Sequence, residues 1–139
     1  MELFYNSKFF NFGISGNYIG EYFQSDLGFL RRKDIIMTNP FAEVVIWPKK
    51  TKVNSHSIRI NPFVFWRPSL DYKNTDFTLF SMWTTKFQNQ SEWSARMFNR
   101  YTYLTEDFEP SNTEGAVALP GNIGYHYTSF ELRYESDRR

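Results

Sequence analysis

At 139 residues the chain holds one domain's worth of sequence, and a formal charge of +1 sets up no field that would select nucleic acid or an acidic substrate. The absence of cysteine excludes disulfides and thiolate metal sites, and no apolar run reaches the roughly 18–20 residues of a transmembrane helix. Aromatic residues make up 20% of the chain while mean hydropathy is −0.55, so the aromatics are dispersed among polar residues as alternating strands require.

Met1-Glu2-Leu3-Phe4-Tyr5-Asn6 lacks the basic start and unbroken apolar core of a signal peptide, and the first strand is expected after it, over residues 8–23. There Phe10, Phe12, Ile14, Gly16, Tyr18, Gly20 and Tyr22 fall on one side. Asn11, Gly13, Ser15, Asn17 and Glu21 fall on the other, with Phe9, Ile19 and Phe23 as apolar exceptions. Gln24 to Lys33, which carries Arg31 and Arg32, reads as a structured loop. A second strand is expected over residues 34–47, weakened in its middle by Pro40; Phe41, Glu43, Val45 and Trp47 share one face, Ala42, Val44 and Ile46 the other. The charged, proline-led Pro48–Lys52 is a turn. In the third strand, residues 53–67, His56, Ile58, Ile60, Pro62, Val64 and Trp66 alternate with Ser55, Ser57, Arg59, Asn61, Phe63 and Phe65. Proline has no N–H for the ladder, so Pro62 is expected at a bulge or an edge.

After the connection at residues 67–74 comes the strongest pattern in the chain. Phe77, Leu79, Ser81, Trp83, Thr85 and Phe87 share one face; after Gln88-Asn89-Gln90, Ser91, Trp93, Ala95, Met97, Asn99, Tyr101 and Tyr103 share one. A two-residue loop would set Phe87 beside Glu92 and mix the faces. A three-residue loop instead pairs Phe87 with Ser91, Thr85 with Trp93, Trp83 with Ala95 and Lys86 with Glu92, keeping aromatics together and opposite charges across from each other. Thr105 to Gly124 is irregular. A last strand starts near Tyr125, with Phe130, Leu132 and Tyr134 opposed to Ser129, Glu131, Arg133 and Glu135. No segment has helical periodicity. The expected fold is therefore all-β, an antiparallel meander of about six long strands, with residues 1–139 forming a single β-barrel segment. Arms of at least about 11 residues are near twice the usual strand length and suit a barrel wall. Six strands are fewer than the about 8 of the smallest membrane barrels, so the barrel is expected to be incomplete.

Candidate chemistry is sparse. His56 and His126 have no partner at ligand spacing, and Glu106, Asp107 and Glu109 lack the oxygen spacing of a calcium loop, so no metal or other cofactor is expected. There is no nucleophile elbow; Gly13-Ile14-Ser15-Gly16 has its second glycine one residue too early. No phosphate loop or dinucleotide fingerprint appears, and no acid, base and nucleophile can be assembled, so the chain is not read as an enzyme. The weak ligand candidates are Arg31 and Arg32, for a phosphate or lipid headgroup, and Trp66 and Trp83, which with Trp47 and Trp93 could stack on sugar rings. Bracing of strands is the plainer reading of the arginines, and interface-belt or core packing explains the indoles equally well. Arg96 and Arg100, on the mixed face with Thr78 and Thr84, would point into a lumen if the Trp83 face meets lipid.

Asp26-Leu27-Gly28-Phe29-Leu30-Arg31-Arg32 after a glycine-rich strand, Leu104-Thr105-Glu106-Asp107-Phe108-Glu109-Pro110, and Leu119-Pro120-Gly121-Asn122-Ile123-Gly124-Tyr125 leading to Tyr134-Glu135-Ser136-Asp137-Arg138-Arg139 carry a resemblance. In order and approximate spacing they resemble large outer-membrane proteins of Gram-negative bacteria. In these a family-9 carbohydrate-binding-like domain precedes a β-barrel domain of unknown function (5916). The resemblance implies a middle portion of that barrel, located in the outer membrane, with a structural or transport-linked role and no chemistry of its own. Its implied partners are the lipid bilayer or the remaining barrel strands, and carbohydrate, with no nucleic acid. The alternative is a soluble β-barrel or sandwich, periplasmic or cytoplasmic, that binds a carbohydrate or apolar ligand.

Overall fold

Two-residue alternation leaves a chain no way to bury one kind of side chain except by extending it, and strands are what form. The computed structural model describes residues 1–23, 33–49, 51–109 and 117–136. These form β1 (Glu2–Asn6), β2 (Phe10–Ile19), β3 (Ile35–Ile46), β4 (Val53–Arg67), β5 (Lys73–Phe87), β6 (Glu92–Leu104) and β7 (Ile123–Glu135). All seven lie in one sheet in sequence order, each antiparallel to the next, with β1 and β7 at the edges. A single 3-10 turn, Pro68–Leu70, joins β4 to β5, and no α-helix occurs among the described residues.

The expectation of about six strands is thus corrected to seven. Glu2–Asn6 is short and offers only Leu3 and Tyr5 as an alternating pair, too little to announce a strand. Pairing with β2, which sets Phe4 opposite Gly13, makes it one. Elsewhere the strands fall close to where the alternation puts them. The β5–β6 hairpin has the register that keeps its faces pure: Lys86 opposite Glu92, Thr85 opposite Trp93, Trp83 opposite Ala95. Phe87 N–H donates to the Ser91 carbonyl at 2.9 Å, and Asn89 Oδ1 accepts from Ser91 N–H at 3.2 Å inside the turn. The Lys86 and Glu92 side chains approach to 3.7 Å. Lys86 is exposed and Glu92 partly so, and the pair specifies register more than it stabilises.

Pro62 sits neither at a bulge nor on an edge. It pairs with Leu79 inside the sheet, while the register slips at Val53/Ser55 and Phe65/Trp66. The reason lies across the strand pair. Between the pairs Thr38↔Val64 and Ala42↔Ile60 the β3–β4 ladder lapses, and that gap places Pro40 opposite Pro62. Two residues without N–H groups face each other, so each leaves the other's carbonyl without a ladder donor. Asn61, 6% exposed, repairs the gap: its Nδ2 donates to the Pro40 carbonyl at 2.6 Å and to Asn39 Oδ1.

Register assigns every side chain to one of two faces. One carries Leu3, Phe12, Ile14, Val44, Ile58, Ile60, Leu79, Trp83, Met97, Phe130, Leu132 and their row neighbours, with no Asp, Glu, Lys or Arg between its ends; at the start of β5 the Lys73 ammonium lies over the Tyr103 ring. The other carries Glu43, Arg59, Asp76, Lys86, Glu92, Arg96, Arg100, Glu131 and Arg133. Burial is inverted relative to a water-soluble globule. No hydrophobic side chain is buried among the described residues, whereas polar ones are, Ser55, Asn61, Thr84 and Ser94 on the charged face and Thr85 on the other. Phe130, Leu132 and Tyr134 are 76%, 74% and 63% exposed. The surface of 10620 Å² far exceeds the about 7,600 Å² expected of a compact 16.7 kDa monomer. Ladder hydrogen bonds and cross-strand pairs hold this sheet; an apolar core does not.

Gly13 shows one such cross-strand pair. A Cβ there would lie 2.6 Å from Phe41 Cε1 and in overlap with the Phe4 ring, and those two rings sit 6.1 Å apart above the glycine. Gly13→Ala is expected to lower unfolding free energy by about 1 kcal/mol, the low end of overpacking because ring edges can tilt away. Denaturant unfolding checks this; an equal or higher midpoint would show that the rings do not depend on the gap.

Candidate functional site

The charged face gathers its chemistry in one row. Glu43 on β3, Arg59 on β4, Met82 on β5, Arg96 on β6 and Glu131 on β7 stand opposite one another in succession, with Asn11 on β2 opposite Glu43. At the outer ends the acids are engaged. Asn11 Nδ2 donates to Glu43 Oε2 at 3.1 Å, and Arg96 Nη1 meets Glu131 Oε1 at 3.3 Å. At the centre one donor of each guanidinium is not: Arg59 Nε and Arg96 Nε are both buried without a hydrogen-bond partner. Arg59 instead lies over the Phe41 ring, 4.5 Å from its centroid.

The next row along the strands is aromatic. Phe80 and Phe98 are paired across β5 and β6 with ring centroids 5.0 Å apart. Beyond it Arg100 lies over both Phe98 (4.9 Å) and Tyr127 (5.4 Å), and its Nη1 donates to the Tyr127 hydroxyl at 3.2 Å. The arrangement is a pair of phenyl rings flanked along β6 by arginines at both ends. It can hold an anion or a flat polar ring. Among the described residues no cluster of His, Asp or Glu could hold a metal ion.

The opposite face has a different logic. At the β5–β6 hairpin end Trp83 and Trp93 meet edge to face, centroids 5.1 Å apart and planes at 85°. Thr85 hydrogen-bonds His56 Nδ1 at 2.9 Å beside them. At the far end the Tyr101 and His126 rings meet tilted, centroids 4.7 Å apart, near Phe77 and Tyr103. Between these ends the face carries Ile60, Leu79, Ala95 and Met97, and one polar pair that satisfies itself, Thr128 Oγ1 donating to Asn99 Oδ1 at 2.6 Å.

Of the residues singled out from sequence, Arg96 and Arg100 share the charged face and the phenyl pair between them. Trp83 lies on the other face. Trp66 lies on that face as well by its pairing with Ile36, but at the far end of β4, where the register slips and sets it opposite Asn74. Arg31 and Arg32 lie outside the described residues. Arg59, which completes the row, was not singled out. Its signal was its place among Ser55, Ser57 and Asn61, but only the β4–β5 pairing shows that it stands level with Arg96. Compared with known proteins, the chain matches no family model, no curated protein and no solved structure.

Proposed function

We propose that the chain forms part of the wall of an outer-membrane-type β-barrel, of the kind its sequence motifs resemble, with a structural or transport-linked role and no reaction of its own. The observation that carries this is the segregation of charge: apart from Lys73 at the start of β5, which lies over Tyr103, the Asp, Glu, Lys and Arg residues of the paired strands stand on one face, and the other face is apolar and exposed. A sheet side without charge between its ends, half uncovered, suits hydrocarbon; a side of Ser, Thr, Asn, Arg and Glu suits a wet lumen. The lengths agree. From Trp93 to Tyr103 the strand climbs about 33 Å, which a tilt of about 40° reduces to about 25 Å, the height of the apolar band in such barrels. Rings cluster at both ends of that climb, as interfacial side chains do. On this reading β1 and β7 pair with further barrel strands, which would leave no edge exposed.

The chain is expected to float with liposomes and to require detergent to remain monomeric. Flotation followed by gel filtration in plain buffer tests it. A stable monomer that stays with the aqueous fraction would overturn the proposal in favour of a soluble ligand-binding barrel.

A further inference from the structure

We infer that Arg59 and Arg96 form a binding site for a multi-oxygen anion on the charged face, seated over Met82. The inference uses only that face and stands whether or not the other face meets lipid.

The spacing is set by the ladder. Arg59 and Arg96 flank Met82 on neighbouring strands, so their Cα atoms are about 10 Å apart, one wide and one narrow antiparallel step. Two arginine arms of about 6–7 Å therefore converge easily on a single phosphate- or carboxylate-sized group above the thioether. What makes them available is their bonding. A guanidinium presents its side edge, Nε–H with one Nη–H, as a fork that matches two oxygens of an oxyanion. In both arginines Nε lacks an acceptor. Glu131 takes only Nη1 of Arg96. Glu43 is opposite Arg59 but is bonded by Asn11, and Arg59 makes no ion pair among the described residues. Buried donors without acceptors are rare, because each forfeits its solvation for nothing. A rotation of each guanidinium out of its present resting place, Arg59 from the Phe41 ring and Arg96 from the sheet, would bring both forks to one ligand.

The same chemistry could come as free phosphate or as a phosphate carried by a sugar, and the neighbouring row bears on which. Phe98, packed on Phe80, is the next residue along β6 on this face, so a ring attached to the anion would lie on an aromatic platform with Arg100 at its far rim.

The experiment is a titration of the full chain in detergent micelles with inorganic phosphate at fixed ionic strength, chloride as reference, followed by calorimetry. Saturable binding is expected. Arg59→Gln and Arg96→Gln should each weaken it at least about tenfold, the loss of a charge-assisted hydrogen-bonded pair. Lys86→Gln removes one positive charge from the same face without touching the site and should change affinity less than about twofold. Circular dichroism verifies that each variant keeps its sheet. No saturable binding by the wild-type chain, or an equal loss with Lys86→Gln, would overturn the site and indicate a diffuse field. Glucose 6-phosphate then separates the sources. Tighter binding than phosphate that Phe98→Ala abolishes assigns a sugar-borne anion; equal binding of the two assigns the free one.

Discussion

Phe130→Arg is expected to abolish partition of the chain into liposomes, and Ser129→Arg to leave it unchanged. The two residues are adjacent on β7, at the middle of the strand, and they point to opposite faces: Phe130 stands opposite Met97 and Ser129 opposite Phe98. Both are exposed, so neither substitution disturbs packing within the sheet, and both add the same charge at the same depth. An arginine facing hydrocarbon at the midplane costs about 2–4 kcal/mol, which shifts the partition equilibrium by a factor of about 30 to 1,000. An arginine beside Glu131 on the charged face meets a carboxylate and water. Liposome flotation across a lipid titration gives the ratio. The soluble alternative predicts the opposite sign, since removing a 76% exposed phenyl from water can only improve solubility. Equal partition of the two variants would end the lipid-facing assignment.

Asn61→Ala is expected to destabilise the sheet by about 1–3 kcal/mol, the penalty for a buried acceptor left without its donor. The side chain is 6% exposed, and its Nδ2 is the group that answers the Pro40 carbonyl at 2.6 Å where the β3–β4 ladder lapses. Asn61→Asp should cost more than alanine. It keeps the shape but turns the donor into a negative oxygen aimed at that same carbonyl. Denaturant unfolding followed by tryptophan emission measures both. A change below about 0.5 kcal/mol for alanine would place Asn61 among ordinary surface positions and refute its role as a repair.

The faces and the hairpin register are legible in the sequence because a period of two is unforgiving. A shift of one residue at the Gln88–Gln90 turn would have set Phe87 beside Glu92, and only one loop length avoids it. What escapes is whatever depends on a partner strand far away in sequence. Glu2–Asn6 shows no strand pattern of its own and becomes β1 by lying along β2. Pro62 looked like a ladder fault because its own N–H is missing; Pro40, 22 positions away, lacks the same group at the same place. The site divides in the same way. Arg96 and Arg100 are one alternation apart from Phe98 and can be placed by counting. Arg59 reaches their level only through β4–β5 pairing, and two register slips at the ends of that pair defeat counting from either turn.

The strict sequence order of the sheet has a consequence for how such a protein could change over generations. Each strand pairs in the sheet with its chain neighbours, and every neighbouring pair is antiparallel. A hairpin is therefore a removable unit. Excising β5 and β6 would bring β4 beside β7, still antiparallel and, with a suitable register, still with apolar side chains on a common face. Duplicating the pair would widen the sheet by two strands on the same terms. Odd changes have no such licence, since one extra strand reverses the direction of everything after it. Gene duplication acting on this fold would thus move its width in steps of two.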